Sequence, residues 1–277
     1  MEAHYGSSVG RKQQTPAERS AAPVWDEHAA EWGVDRLDAA GAPADAGTII
    51  VATEYDGGVV VACDTRVTVG NFVHNRSSEK IATLTDWVYL GRSGSCPDAQ
   101  ALSDYVCYMA DQHAAALGRE LETETVATLV SDIIYNNKGM NGGQGLSATL
   151  VLGGWDKYEG GTVWALTLGG SMVRVPWAID GSGSTGLWSY FDDGWRPGMT
   201  RGEAEAFVLN AIALVNAHDA SCGGNCRMVT VDKDGAKRQY FPHERMPVIR
   251  GDLPEPGKTH ITFSGGLITG NKGIVTS

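Results

Sequence analysis

The chain has 277 residues, with 22 Lys and Arg against 33 Asp and Glu, a formal net charge of -11, and 42% hydrophobic and 20% charged residues. That is the composition of a globular protein with one large core, and the acidic balance, with no basic run longer than Lys237-Arg238, excludes a nucleic-acid surface. Nothing approaches the ~18 consecutive apolar residues of a membrane span, and Met1 to Tyr5 has neither the basic start nor the apolar core of a signal peptide, so no membrane is expected and the expected location is the cytoplasm and nucleus.

Residues 1–47 are rich in Ala, Gly, Pro and charge and lack long apolar periodicity, although Val24-Trp25 and Trp32 could anchor a short amphipathic turn. The first strand-like run, Ile49 to Tyr55, follows, with a hairpin turn at Asp56-Gly57-Gly58. Directly before it stands Gly47-Thr48. Gly-Thr opens many ordinary strands, but a cut between these residues would make threonine an amino terminus. One residue would then offer a hydroxyl nucleophile and an α-amine of pKa about 8, close to what a general base needs at neutral pH. Residues 1–47 therefore read as a propeptide removed on maturation, 48–241 as the functional domain and 242–277 as a tail.

Polar groups follow at spacings that serve such a threonine. The second strand, Val59 to Cys63, ends in Asp64-Thr65-Arg66, so pairing returns a carboxylate to the start of the first. The cluster Asn75 to Lys80 ends in a lysine before the apolar Ile81. An ammonium near the threonine hydroxyl lowers the hydroxyl's pKa, and a carboxylate fixes that ammonium in place. Arg92-Ser93-Gly94-Ser95 closes the strand Trp87 to Gly91 before a helix beginning near Pro97, and backbone N–H groups in a glycine turn form an oxyanion hole.

Leu102, Tyr105, Val106, Met109, His113 and Ala116 recur at helical spacing, as do Val126, Leu129, Val130, Ile133 and Ile134. Ala148 to Trp155, Thr162 to Leu168 and Met172 to Ile179 read as strands. A helix follows, with Ala204, Phe207, Val208, Ala211 and Val215 on one face, and then the strands Cys226 to Val231 and Lys237 to Phe241 around the turn Asp232 to Gly235. Periodicity alone gives an α+β fold. The tail carries Pro242, Pro247, Pro254 and Pro256 and an apolar run, Ile261 to Ile268, broken by Gly265-Gly266; it reads as an arm along a neighbouring subunit or as an unordered tail.

Taken in order, Gly-Thr, Asp-x-Arg, Asn-Arg-x-x-x-Lys, Arg-Ser-Gly-Ser, Gly-Trp-Asp, Gly-Ser-Gly-Ser and Asp-x-x-x-Gly-Gly resemble the β-type subunits of the 20S proteasome from about residue 47 to about residue 241. Asn75-Arg76, Arg92 to Ser95 and Ala178 to Ser184 look most like the caspase-like subunit. The resemblance implies a four-layer αββα sandwich of the N-terminal nucleophile hydrolase type and a threonine endopeptidase. It implies Thr48 as nucleophile and base, Asp64 and Lys80 as its supporting pair, Gly94 as oxyanion donor, and Ser182 and Asp219 as the network around the new amino terminus. Arg92 would project into the pocket for the side chain before the scissile bond and favour Asp or Glu there, with Val67, Thr68 and Cys96 sharing that pocket. Its partners would be other β-type and α-type subunits in stacked rings, with unfolded polypeptides as substrates.

Two positions depart from the family. Ile49 stands where most active relatives carry a second threonine, pointing away from the chemistry. Cys222 stands where the family usually has serine near the threonine amine, and a thiol is a far weaker hydrogen-bond partner, although Ser221 offers a hydroxyl next door. A non-catalytic ring subunit and an N-terminal nucleophile hydrolase acting on a small amide are the alternative readings. Gly181 to Gly186 also satisfies the dinucleotide pattern Gly-x-Gly-x-x-Gly, with Glu203 and Glu205 downstream, but hairpin-like strands rather than a βαβ unit precede it. The odd set Cys63, Cys96, Cys107, Cys222 and Cys226 fits a reducing compartment. Cys222 and Cys226 lack a second pair at zinc spacing and no His-Glu-x-x-His occurs, so neither metal nor cofactor is expected.

Overall fold

The structure is a computed structural model, and it describes residues 47–69, 72–137, 146, 148–167 and 169–249, with the backbone of three short strands between 260 and 275. All lie in the unit Pro43–Ser277. Apart from Gly47, the segment expected to be removed lies outside the described residues, as does most of the tail beyond 249.

In chain order the elements are β1 (Ile50–Tyr55), β2 (Gly58–Asp64), β3 (Val67–Val69), β4 (Phe72–Asn75), β5 (Ile81–Thr83), β6 (Val88–Gly94), α1 (Cys96–Leu117), α2 (Thr123–Asn137), β7 (Ala148–Asp156), β8 (Gly160–Leu166), β9 (Met172–Val175) and β10 (Trp177–Asp180). A 3-10 turn (Ser182–Gly186), α3 (Trp188–Gly194), α4 (Arg201–His218), β11 (Cys226–Asp232), β12 (Gly235–Phe241) and the tail strands β13 (His260–Phe263), β14 (Gly266–Thr269) and β15 (Ile274–Val275) complete the chain. One antiparallel sheet runs β10-β1-β2-β11-β12 and a second runs β5-β6-β7-β8-β9. β3 pairs with β4, and the tail strands form their own meander. The fold is α+β.

Three apolar clusters hold these elements. Ile50, Ala52, Val59 and Val61 from the first sheet meet Tyr89, Val151 and Val163 from the second in one of them. The alternation of a strand sends its other side chains to the opposite face. There Ile49, Val51, Val60 and Ala62 pack with Phe191 of α3 and Phe207, Val208, Ala211 and Ile212 of α4. On the far side of the second sheet, Leu90, Leu150 and Leu152 pack with Leu102 and Val106 of α1 and with Val126 and Val130 of α2. α4 starts with a capping box, Thr200 and Glu203 each satisfying the other's backbone N–H.

Three local expectations are corrected. Arg92-Ser93-Gly94 does not form a turn after the strand: it continues β6 to Gly94, where the register with β7 pairs it with Ala148. Met172 to Ile179 is not one strand. Pro176 divides it, with β9 paired to β8 in the second sheet and β10 to β1 in the first. Proline donates no ladder hydrogen bond, so it ends one strand, and its carbonyl instead accepts from Glu54 N–H at 2.9 Å as the chain changes sheets. The expected run to Leu168 stops at Leu166, where Thr167 turns back by bonding the Ser171 carbonyl. The tail run that Gly265-Gly266 was expected to break divides there into β13 and β14.

Candidate active site

Pairing of β1 with β2 sets Ile50 opposite Cys63, which returns Asp64 to the start of β1. Asp64 is fully buried and takes four donors: Lys80 Nζ at 2.7 Å and Ile49 N–H at 3.1 Å on Oδ1, Gly223 N–H at 3.1 Å and Arg66 N–H at 3.3 Å on Oδ2. Burial pushes its carboxyl above the ordinary value, and Lys80 and the backbone donors oppose that shift. Since every partner donates, the ionised carboxylate is the form this cage accommodates.

Lys80, immediately before β5, is buried and carries the next link. Its Nζ donates to Thr48 Oγ1 at 3.0 Å and to the Gly47 carbonyl at 3.1 Å. One ammonium therefore touches both the hydroxyl and the carbonyl that precedes it. Thr48, 3% exposed, is clamped on its other side: its N–H donates to Ser182 Oγ at 3.2 Å and its carbonyl accepts from Gly183 N–H at 3.2 Å. Gly181, at φ 94°, passes so close that a Cβ there would stand 2.2 Å from the Thr48 carbonyl oxygen, which explains glycine in a stretch that mimics a dinucleotide fingerprint. Gly47 is equally confined, since a Cβ on it would lie 2.2 Å from Ser221 Cβ. Its N–H donates to Thr68 Oγ1 at 3.3 Å.

Asp219 follows the last residue of α4. It accepts from Ser221 Oγ at 2.6 Å, Ser182 Oγ at 3.3 Å and Cys222 Sγ at 3.2 Å. Burial raises its pKa, but the donors of Ser221, Cys222 and Ser182 outweigh burial and hold the carboxyl below the ordinary range. Burial, with Asp64 and Asp219 nearby, pushes the Cys222 thiol up to about 12, so it stays protonated. The departure at Ile49 is fully buried in the cluster under α4.

A cavity of about 100 Å³ beside Thr48 is lined by Lys80, Arg92, Gly94 and Cys96 together with Glu79 and Gln100. Gly94, at φ 87°, ends β6 at its rim. Arg92 is half-buried and donates through Nη2 to the Glu79 carbonyl at 2.9 Å, while the Glu79 carboxylate pairs with Arg227 at 3.2 Å. Val67 and Thr68 are not among the residues lining this cavity; they lie on β3, on the side of Gly47. Sequence reasoning passed over Gln100, although it stands four residues after Cys96 and so on the same face of α1. It also gave no role to Gly223, the first glycine of the Asp-x-x-x-Gly-Gly motif, whose N–H reaches Asp64 from a loop distant in sequence.

Among the described residues no group of three or more His, Cys, Asp and Glu is placed to hold a metal ion, and no helix is long and apolar enough to cross a membrane. What the arrangement offers is a hydroxyl, a cation bridging it to a carbonyl, and a hydroxyl-carboxylate network around the threonine nitrogen. That is equipment suited to acyl transfer.

Residues 44–231 match the family described as proteasome subunit. The chain is 42% identical over 212 residues to proteasome subunit beta type-6 of Arabidopsis thaliana, covering 76% of this chain and 89% of that one. It is 40% identical to probable proteasome subunit beta type-1 of Schizosaccharomyces pombe (70% and 84% covered) and 39% identical to human proteasome subunit beta type-9 (73% and 89% covered). The chain belongs to the β-type subunits of the 20S proteasome, which assemble with α-type and other β-type subunits in stacked rings.

Proposed function

We propose that this subunit is catalytic: a threonine endopeptidase on the αββα sandwich of the N-terminal nucleophile hydrolases, made by cutting its own Gly47–Thr48 bond. The observation that carries the reading is Lys80 Nζ, 3.0 Å from Thr48 Oγ1, 3.1 Å from the Gly47 carbonyl and 2.7 Å from Asp64. A fixed ammonium there favours the alkoxide-like hydroxyl and polarises the carbonyl it attacks, and a ring subunit that only filled a place in the assembly would have no use for a buried cation so arranged. The three apolar clusters, one between the sheets and one under each helical layer, support the four-layer reading.

In self-cleavage Thr48 Oγ attacks the Gly47 carbonyl, the acyl group passes from nitrogen to oxygen, and water hydrolyses the resulting ester. Residues 1–47 leave and the Thr48 amine is released. In turnover Thr48 Oγ attacks the substrate carbonyl while that amine, through a water, takes the proton. Gly94 N–H steadies the oxyanion, the leaving amine departs protonated, and water then frees the acyl-enzyme. Arg92 in the adjoining cavity gives the preference for Asp or Glu before the cut, the caspase-like activity. On this reading the particle works in the cytoplasm and nucleus on unfolded chains. Thr48→Ala is the test: it removes the hydroxyl at a strand start without opening a core cavity, and should abolish self-cleavage and hydrolysis while the chain still enters the ring. Normal hydrolysis by particles carrying that variant and no other active subunit would overturn the assignment.

A further inference from the structure

Both hydroxyl protons of the network around Asp219 are committed. Ser221 Oγ donates to Oδ1 at 2.6 Å, reinforced by Ser221 N–H at 2.8 Å, and Ser182 Oγ donates to Oδ2 at 3.3 Å. What the two hydroxyls have left to offer is lone pairs. Ser182 uses one to accept Thr48 N–H at 3.2 Å. Ser221 Oγ lies 3.3 Å from Ser182 Oγ and against Gly47, where a Cβ would stand 2.3 Å from it. When Gly47 departs, the Thr48 nitrogen changes from a peptide N–H with one proton to an amine or ammonium with two or three, and the space that opens is walled by Ser221 Oγ. A cavity of about 540 Å³ lined by Ser182, Asp219 and Ser221 adjoins this wall, so water reaches it.

Cys222 is poorly suited to the same task. Its sulfur is 3.8 Å from Ser182 Oγ, its S–H points at Asp219 from 3.2 Å, and neutral thiol sulfur is a weak acceptor. We propose that Ser221 is a positioning residue for the catalytic amine, its hydroxyl holding the Thr48 nitrogen jointly with Ser182 and so supplying the acceptor that a cysteine at 222 does not. The proposal rests on Thr48 being the nucleophile and base. It gives the chain a way to keep a hydroxyl at the amine while shifting it one residue along the loop.

The test compares assembled particles in which this chain is the single active subunit, read by hydrolysis of an acidic fluorogenic peptide and by labelling with a peptide epoxyketone, which needs both hydroxyl and amine. In chains that begin at Thr48 by intact mass, Ser221→Ala should lower kcat about ten- to a hundredfold, the loss of one hydrogen bond to a charged group, with KM little changed. Epoxyketone labelling should slow in parallel. Ser221→Thr, which keeps the hydroxyl, should stay close to the parent, and adding Cys222→Ser to Ser221→Ala should restore most of the lost rate. A loop that merely needed a small residue at 221 would show no such rescue. Where the alanine variant fails to assemble, Ser221→Val against Ser221→Thr sets methyl against hydroxyl at equal size and makes the same comparison. Unchanged kcat in Ser221→Ala, or a loss that Cys222→Ser leaves untouched, overturns the proposal. Thr48→Ala measured alongside separates the two claims: hydrolysis surviving in it refutes the nucleophile itself, whereas a dead Thr48→Ala beside a fully active Ser221→Ala refutes only the role of Ser221.

Discussion

Arg92 is the residue on which the proposed preference for Asp and Glu turns. One of its N–H groups goes to the Glu79 carbonyl, and the neighbouring Glu79 carboxylate is occupied by Arg227, so the guanidinium faces a cavity whose fixed negative charge is partly neutralised. Arg92→Ala should therefore weaken cleavage after Asp and Glu by about 1.5 to 3 kcal/mol in kcat/KM, with little loss on apolar peptides. Matched peptides differing at the residue before the cut check this, and equal losses on both kinds would remove Arg92 from specificity. Thr48, Asp64 and Lys80 were legible in the sequence because a hairpin of fixed register and a polar cluster ahead of an apolar strand leave few places for them to go. That the N–H groups of Gly223 and Arg66 converge on Asp64 was not, although both residues stand in quoted motifs, since a backbone N–H is a donor that any residue type supplies. The cavity was half legible: Arg92, Gly94 and Cys96 line it with Thr48, whereas Val67 and Thr68 follow the β3 strand to the side of Gly47.

Elements were legible wherever a period ran long enough. The two long helices after β6 and the hairpins β1–β2 and β11–β12 stand where apolar spacing and turn residues put them. Met172 to Ile179 is rich in strand-forming residues on both sides of Pro176, the residue that makes it two strands in two sheets. α3 is too short for periodicity to announce, and its Phe191 is fixed by packing on Phe207 of α4 with ring centroids 4.9 Å apart. Two substitutions grade what these elements contribute. Thr200→Ala removes half of the α4 capping box at an exposed site and should cost about 0.5–2 kcal/mol. Leu152→Ala opens a cavity between β7 and the α1–α2 layer, where the side chain is fully buried, and should cost about 2–5 kcal/mol. Denaturant midpoints of the purified chain give the order; a larger loss from the cap than from the core would contradict this packing.

At the scale of the whole molecule, acid should remove the stability that Asp156 and Asp219 contribute. Burial tends to raise both Asp156 and Asp219, but each is held below the ordinary carboxylate value by donors: N–H groups of Glu159, Tyr158 and Thr123 for the first, Ser221, Cys222 and Ser182 for the second. A group whose folded pKa is depressed binds protons more readily in the unfolded chain, so its contribution is present above about pH 4 and drains away as pH falls through the folded value. Thermal midpoints measured downward from about pH 6 should carry a loss below that point from these two groups, and Asp156→Asn, far from the chemistry, should flatten the slope. An unchanged slope would mean that the donors do not depress Asp156. Maturation is the other property of the whole chain, and it bears most directly on the central claim that Thr48 is nucleophile and base. An uncut bond ties up the amine that the mechanism requires. The decisive measurement is the intact mass of this chain taken from particles in which an epoxyketone has labelled it. The account predicts a chain beginning at Thr48, short of residues 1–47; a labelled and hydrolytically active chain that still carries Gly47 would contradict it.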